Sequence, residues 1–446
     1  MGSWAAATWR LGGCSGRGGL RGVPRRRGSS RPGGGDRAAT LSDLLQSSVG
    51  GEEPDAAAAR RERRSPREGT VLLFPGQGSQ LVGMGRGLLQ YPGVRDMYRL
   101  AEKVLGYDLL SLCLEGPQDE LDRTRHCQPA VFVASLAAVE KLNHQRPEVR
   151  ERRGEDGGGA RPGPVVGRPG PGPGGPRVAV GRGAVPGAPR GSRLMCGLGS
   201  VSVQVVASCV AAAGYSVGEF AALVFAGAMG FAEALYAVKV RAEAMQKASE
   251  AVPSGMLSVI GRREANYKFA CLEARKHCES LGIENPVCEI SNYLFPDSRV
   301  IAGHLQALEF LQENARKYYF TRTKMLPVSG AFHTRLMEPA VEPLAEVLNS
   351  IEIEKPLVCV YSNVDGKKYM HSKHIRKLLV KQVVSPVLWE QTMHAVYERQ
   401  QGTEFPYTYE VGPGKQLGAV LKKCNLKAWK QYNHVDALED EEAAKT

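Results

Sequence analysis

The sequence predicts an α/β protein: a mostly parallel sheet covered on both faces, with a smaller βαββαβ unit inserted into it. Two observations predict this. Apolar runs of strand length alternate with amphipathic helical runs on either side of residues 254–326. Within 254–326 the short elements run strand, helix, strand, strand, helix, strand, which is the ferredoxin-like order. A chain of 446 residues is long enough for two or three domains and a sizeable core.

Regular structure is expected from Thr70. "TVLLFPGQGSQ" reads as a buried strand running into a glycine turn. "VRDMYRLAEKVLG" and "PAVFVASLAAVEKLNHQ" read as helices, with apolar residues at three- and four-residue spacing. A strand within "VQVVASCVAAAG" leads to Ser216, and "EFAALVFAGAM" and "EALYAVKVRAEAMQKASEA" are the helices that follow. In the inserted unit the strands are "GMLSVI", "VCEISN", "RVIAGH" and "KMLPV", and the helices are "NYKFACLEARKHCESLG" and "LQALEFLQENARKYY". The α/β pattern then returns. A helix lies within "SGAFHTRLMEPAVEPLAEVLNS", "LVCVYSNV" is a strand, and "HIRKLLVKQVV" and "WEQTMHAVYERQ" are helices. "YTYEVGPG" is a strand ending in a glycine turn and "KQLGAVLKKC" is a helix. Residues 431–446 are expected to form a C-terminal tail.

The formal net charge of +12 points first to a nucleic-acid partner, and the placement of the charge removes that suggestion. Residues 1–69 hold 13 Lys/Arg against 7 Asp/Glu, residues 149–206 hold 9 against 3, and the rest of the chain is balanced at 36 against 36. Residues 1–35 contain seven arginines and no acidic residue, the composition of a mitochondrial transit peptide or of a disordered basic tail. The mitochondrial matrix is the compartment expected. More than half of residues 154–192 are Gly or Pro, which cannot hold a helix or bury a core. A domain boundary and an insertion into a continuous domain both fit, and the insertion, over 149–206, is the one favoured. The expected segments are therefore 1–69 leader, 70–148 core, 149–206 insertion, 207–253 core with the nucleophile turn, 254–326 subdomain, 327–430 core and 431–446 tail. No strongly apolar run reaches the ~20 residues needed to cross a bilayer. Ten cysteines show no C-x-x-C pair, so reduced thiols are expected, with no metal site.

"GYSVGE" (214–219) places Ser216 between two glycines, between a predicted strand and a predicted helix. In a chain with 52 glycines this is either a nucleophile on a tight turn or a serine in glycine-rich surroundings. A nucleophilic serine needs an exposed, strained position, a base and oxyanion donors. The turn supplies the first, and the amide of Val217, opening the next helix, supplies a donor. Of nine histidines, His333 stands out, lying after a predicted strand and before a helix. "FPGQGSQ" can point backbone amides, such as that of Gln77, into the crevice beyond the strand ends. Arg241 on its own reads as a solvated charge on an amphipathic helix.

Four motifs, "FPGQGSQ", "GYSVGE", "SGAFHTRLM" and "EVGPGKQLG", in this order, resemble those of the malonyl-CoA:acyl carrier protein transacylase family, and most of all its mitochondrial members. The similarity runs over residues 70–148 and 208–430. It implies an α/β-hydrolase-like core carrying the ferredoxin-like subdomain. It also implies that Ser216 is the acylated nucleophile, His333 its base, and the amides of Gln77 and Val217 the oxyanion hole. Arg241 would then pair with the free carboxylate of malonyl, which suits a guanidinium fork. The implied activity is transfer of malonyl from malonyl-CoA to the phosphopantetheine thiol of acyl carrier protein, for mitochondrial fatty acid synthesis, by a monomer with no metal or redox cofactor, no nucleic-acid partner and no membrane insertion.

The chain departs from the family at three places. Tyr215 precedes the serine where many members have His. Leu388 stands where bacterial members have Gln, at the position whose backbone carbonyl is expected to orient His333, with no acidic third member. The 149–206 segment interrupts the approach to the nucleophile strand, so a catalytically impaired isoform is one alternative, and a serine thioesterase or hydrolase is the other.

Overall fold

The computed structural model describes residues 69–145 and 208–438. The expected leader (apart from Gly69) and insertion (149–206) lie outside the described residues, as do 146–148 and 207. The described residues build two sheets. The first has five strands: β1 (Thr70–Phe74), β2 (Cys209–Gly214), β7 (Cys359–Tyr361), β9 (Tyr407–Val411) and β10 (Tyr432–Val435). Their order is β10-β9-β1-β2-β7, and every pairing is parallel.

β1 shows why its sequence is an unbroken apolar run. Successive side chains of a strand point to opposite faces. Leu72 and Phe74 enter one core with the helices Thr124–Gln145 and Phe231–Ala251. Val71 and Leu73 enter a second core with Trp389 and Leu417 on the other face. A central parallel strand covered on both sides has no polar face to show.

The second sheet holds β3 (Ser254–Gly261), β4 (Cys288–Phe295), β5 (Ser298–His304), β6 (Phe320–Met325) and β8 (Val387–Leu388). Its order is β6-β3-β5-β4-β8. The first four strands pair antiparallel with the helices Tyr267–Ser280 and Leu305–Glu313 between them, the ferredoxin-like arrangement read from the sequence. β8 comes from the main body and adds to the edge of this sheet, parallel to β4.

Several elements differ from expectation, the short helices Leu109–Glu115 and Gln118–Asp122 among those not expected at all, and three differences have a clear physical reason. β6 ends at Met325 instead of extending through "KMLPV". It is an edge strand with Thr321 and Arg322 exposed, so it lacks the apolar alternation that marks a buried strand. The residues expected to form a C-terminal tail contain β10, a short polar edge strand. The helix expected from Pro129 begins at Thr124, and its first amide is capped by Gln246 Oε1 at 2.9 Å from a helix 122 residues away. A cap supplied by a distant helix leaves no local sequence signal. Eight cysteines among the described residues are unpaired, six of them buried.

Candidate active site

The site forms where β1 and β2 end together. Phe74 pairs with Gly214, so the turn after each strand emerges at the same level. Ser216 then sits at φ 52, in the left-handed region, and the helix Gly218–Phe225 begins two residues later. The two glycines of the motif are needed for space. A Cβ on Gly214 would lie 1.9 Å from the carbonyl oxygen of Gly218, and one on Gly218 would lie 2.3 Å from that of Phe74. Neither neighbour is a flexible side chain. Gly218→Ala is therefore expected to destabilise the fold by about 3 kcal/mol or more, read as a lower denaturation midpoint. An unchanged midpoint would show that the strand ends can part.

The strained serine is held from three sides, as such a backbone must be. The amide of Tyr215 donates to the carbonyl of Phe74 at 2.9 Å. The amide of Ser216 donates to Asn363 Oδ1 at 2.7 Å, and Asn363 Nδ2 donates to the carbonyl of Gly214 at 2.7 Å. Gln382 Nε2 donates to the carbonyl of Ser216 at 3.1 Å.

His333 also adopts a positive φ, 63, and is buried. Its Nε2 lies 2.9 Å from Ser216 Oγ, and its Nδ1 lies 2.8 Å from the carbonyl of Gln382. A carbonyl can only accept, so Nδ1 carries the proton and Nε2 presents its lone pair to the serine hydroxyl. The carbonyl was expected from Leu388. It comes instead from Gln382, the last residue of the helix Ser372–Gln382, while the Leu388 carbonyl accepts from Thr392 Oγ1 at 2.9 Å. The final carbonyls of a helix have no partner within it, and this one is shared between the imidazole and the amide of Ser385 at 3.3 Å. Burial pushes the His333 imidazole down to about 4, and the charge of Arg241 pushes the same way. The carbonyls of Gln382 and Ser385 pull it up. At neutral pH the ring is neutral, with its proton on Nδ1, and Nε2 can accept another.

Arg241 lies on the helix Phe231–Ala251 and is fully buried. Its Nη1 donates to Gln128 Oε1 at 2.5 Å, and its Nη2 donates to Gln382 Oε1 at 2.9 Å and to Ser216 Oγ at 3.2 Å. Its Nε has no partner, and among the described residues the guanidinium makes no ion pair. Burial lowers its pKa to about 10, so it remains a cation at neutral pH. A buried cation whose hydrogen-bond partners are two amides and a hydroxyl, offset only by the more distant charge of Glu219, is costly in free energy, and an incoming carboxylate relieves that cost.

Gln77 and Val217 flank the serine. A Cβ on Gly76 would lie 2.5 Å from the carbonyl of Tyr215, so the turn after β1 presses against the nucleophile turn. Gln77 Nε2 donates to Thr124 Oγ1 at 3.2 Å and its Oε1 accepts from Gln128 at 3.4 Å. The backbone amides of Gln77 and Val217 make no hydrogen bond among the described residues, and that of Val217 stands at the start of a helix. They are donors left free for an oxyanion.

All five residues singled out in the sequence thus meet at one place. Sequence reasoning missed Gln128, Asn363, Gln382 and Glu219. Glu219 is fully buried in the first turn of the helix after Ser216. Burial pushes its carboxyl up to about 7, against Tyr369, Gln382, Asn363 and the charge of Arg241, which hold it down. Among the described residues no cluster of His, Cys, Asp and Glu could hold a metal ion.

A serine beside an imidazole, free amide donors and a buried cation can carry out acyl transfer from a carboxylate-bearing acyl group. Comparison with known proteins agrees. The acyl transferase domain family matches residues 71–148 and 208–422. The chain is 59% identical over 403 residues to the mitochondrial malonyl-CoA-acyl carrier protein transacylase of Mus musculus, covering 90% of this chain and 91% of that protein. It is 33% identical to the malonyl CoA-acyl carrier protein transacylase of Escherichia coli K12, covering 79% of this chain and 92% of that one. Among solved structures it resembles the transacylase of Coxiella burnetii, with a TM-score of 0.61 and 29% identity over 84% of this chain and 96% of that one. It also resembles a malonyl-transacylase solved in complex with a type II PKS acyl-carrier protein, at TM-score 0.61 and 28% identity over 85% of this chain and 98% of that one. The chain belongs to the acyl transferase family, among its malonyl-CoA-acyl carrier protein transacylases.

Proposed function

We propose that this chain transfers malonyl from malonyl-CoA to the phosphopantetheine thiol of acyl carrier protein in mitochondria, through an ester on Ser216. The observation that carries the reading is the fully buried Arg241, whose Nη2 lies 3.2 Å from the nucleophile oxygen and which has no carboxylate partner. Malonyl places a carboxylate one methylene away from the reacting carbonyl, where that cation can reach it.

In the first half-reaction Ser216 Oγ attacks the thioester and gives its proton to His333 Nε2. The amides of Gln77 and Val217 receive the oxyanion. The carbon–sulfur bond then breaks, and CoA leaves as the thiol with the proton from His333. In the second half the carrier thiol gives its proton to His333 and attacks the ester. The carbon–oxygen bond breaks, and Ser216 recovers its proton. The atoms balance with no metal or redox cofactor.

The direct test is to mix the protein with malonyl-CoA and holo acyl carrier protein and follow the malonyl group. Malonyl-acyl carrier protein should appear in step with free CoA. Free malonate in its place would identify a hydrolase.

The lowered His333 pKa sets the pH dependence. Activity is lost as pH falls through the pKa of the base, so kcat/KM should hold on the acid side until about pH 4. A carboxylate on Arg241 cancels the second cause of the shift, so the limb in kcat should lie at higher pH than the limb in kcat/KM. A kcat/KM limb at the ordinary histidine value of 6.5 would contradict the buried-base assignment.

A further inference from the structure

Glu219 is buried, touches none of the groups that would react, and yet connects to all of them. Its Oε2 accepts from Gln382 Nε2 at 2.6 Å and from the amide of Asn363 at 3.1 Å, and its Oε1 accepts from the Tyr369 hydroxyl. Gln382 passes the contact on. Its side-chain amide donates to Glu219 and to the Ser216 carbonyl, so its Oε1 must face the other way, where it accepts from Arg241 Nη2 at 2.9 Å. Turning that amide over would set its NH2 against the guanidinium and its carbonyl against the carboxylate, two repulsive contacts. Gln128 holds the other terminal nitrogen of Arg241, and Nε has no partner. Apart from the nucleophile oxygen itself, 3.2 Å from Nη2, the aim of the guanidinium therefore depends on two amide oxygens, and one of them is fixed by Glu219.

We propose that Glu219 is a positioning residue for acyl-group selection: through Gln382 it aims Arg241 at the carboxylate of the acyl group, and so sets the preference for a carboxylated acyl group over a neutral one. This rests on the proposed malonyl role of Arg241. Asn363 ties the same carboxylate to the nucleophile turn, so a variant also slows acylation in general. A ratio separates the two effects. The rate of loading malonyl divided by the rate of loading acetyl, measured on one sample, does not depend on how much of the sample is active.

The experiment loads full-length wild type and variants from malonyl-CoA and from acetyl-CoA and compares that ratio. Glu219→Ala removes an acceptor of charge-assisted bonds and is expected to lower the ratio by about tenfold or more. Glu219→Gln can keep its Oε1 toward Gln382 and Asn363 and offer its NH2 to the Tyr369 oxygen, so its ratio is expected to stay within about twofold of wild type. Gln382→Met deletes the connection and is expected to lower the ratio as far as Glu219→Ala, with no further loss in the double variant. Should Glu219→Ala not fold, Glu219→Asp withdraws the carboxylate by one methylene and is expected to lower the ratio about threefold or more.

An unchanged ratio in Glu219→Ala or Glu219→Asp, with both rates lowered equally, overturns the proposal and leaves Glu219 a structural residue. So does a loss in Glu219→Gln as deep as in Glu219→Ala, or additive losses in the double variant. A wild type with no malonyl preference is a different failure, that of the malonyl reading itself.

Discussion

Ser216→Ala is expected to lower malonyl transfer to acyl carrier protein by on the order of 10⁴-fold or more while leaving the fold intact. The expectation comes from what the hydroxyl touches. Among the described residues its oxygen hydrogen-bonds only to His333 Nε2 and Arg241 Nη2; without it the imidazole keeps its Nδ1 bond to the Gln382 carbonyl and the guanidinium keeps its bonds to Gln382 and Gln128. Alanine keeps the same small volume in the same strained turn, and Asn363 still grips the amide of residue 216. The imidazole Nε2 loses its partner, so stability should fall by no more than about 1–3 kcal/mol. What disappears is the atom that forms the ester. Any residual transfer would need direct attack of the carrier thiol on malonyl-CoA, with His333, Arg241 and the free amides of Gln77 and Val217 still in place but no ester formed. Steady-state transfer rates and thermal unfolding measured on the same preparations test both halves of the expectation. A variant that keeps a tenth of the wild-type rate would show that the route does not pass through Ser216.

Arg241→Ala is expected to act on substrate choice. A carboxylate paired with a buried guanidinium leaves an uncompensated charge when its partner is removed, at a cost of about 3–5 kcal/mol, or roughly 10²–10⁴-fold in kcat/KM for malonyl-CoA. Acetyl carries no such charge, so its loading should stay level or rise. Arg241→Lys should recover only part of the loss, because an ammonium cannot reproduce a fork held by Gln128 and Gln382 on separate nitrogens. Competition between malonyl-CoA and acetyl-CoA for the same enzyme is the measurement. Equal losses for both substrates would mean that Arg241 supports the fold and does not select the acyl group.

The frame of the molecule was legible because its signals are local. The apolar run of β1 marks a strand covered on both faces, and the βαββαβ order is written in elements of ordinary length. Ser216 was legible because both glycines flank it in sequence, although only Gly214 answers a clash within the turn and Gly218 answers one with the carbonyl of Phe74 at the end of β1. Arg241 carried a signal that went unread. Ala234, Val238, Arg241 and Met245 are all buried, so the arginine occupies the apolar stripe of its helix, where a surface charge does not belong. Glu219 was harder, because an acidic residue in the first turn of a helix is ordinary whether buried or exposed. Asn363 and Gln382 act across 147 and 141 residues of chain, on Ser216 and Arg241 respectively, and nothing in their own surroundings marks them. The carbonyl that orients His333 was placed six residues too late for a related reason. Any residue can supply a backbone carbonyl, so the side chain at Leu388 gave no guide to which one turns inward.

The covalent intermediate is the central claim, and intact mass tests it most directly. The protein is exposed briefly to malonyl-CoA, weighed, digested and mapped, with Ser216→Ala treated alongside. The account predicts the mass of one added malonyl group, located on the peptide containing Ser216, absent from the variant and discharged when holo acyl carrier protein is added. A folded protein that gains no mass, or an adduct that persists in Ser216→Ala, would contradict it.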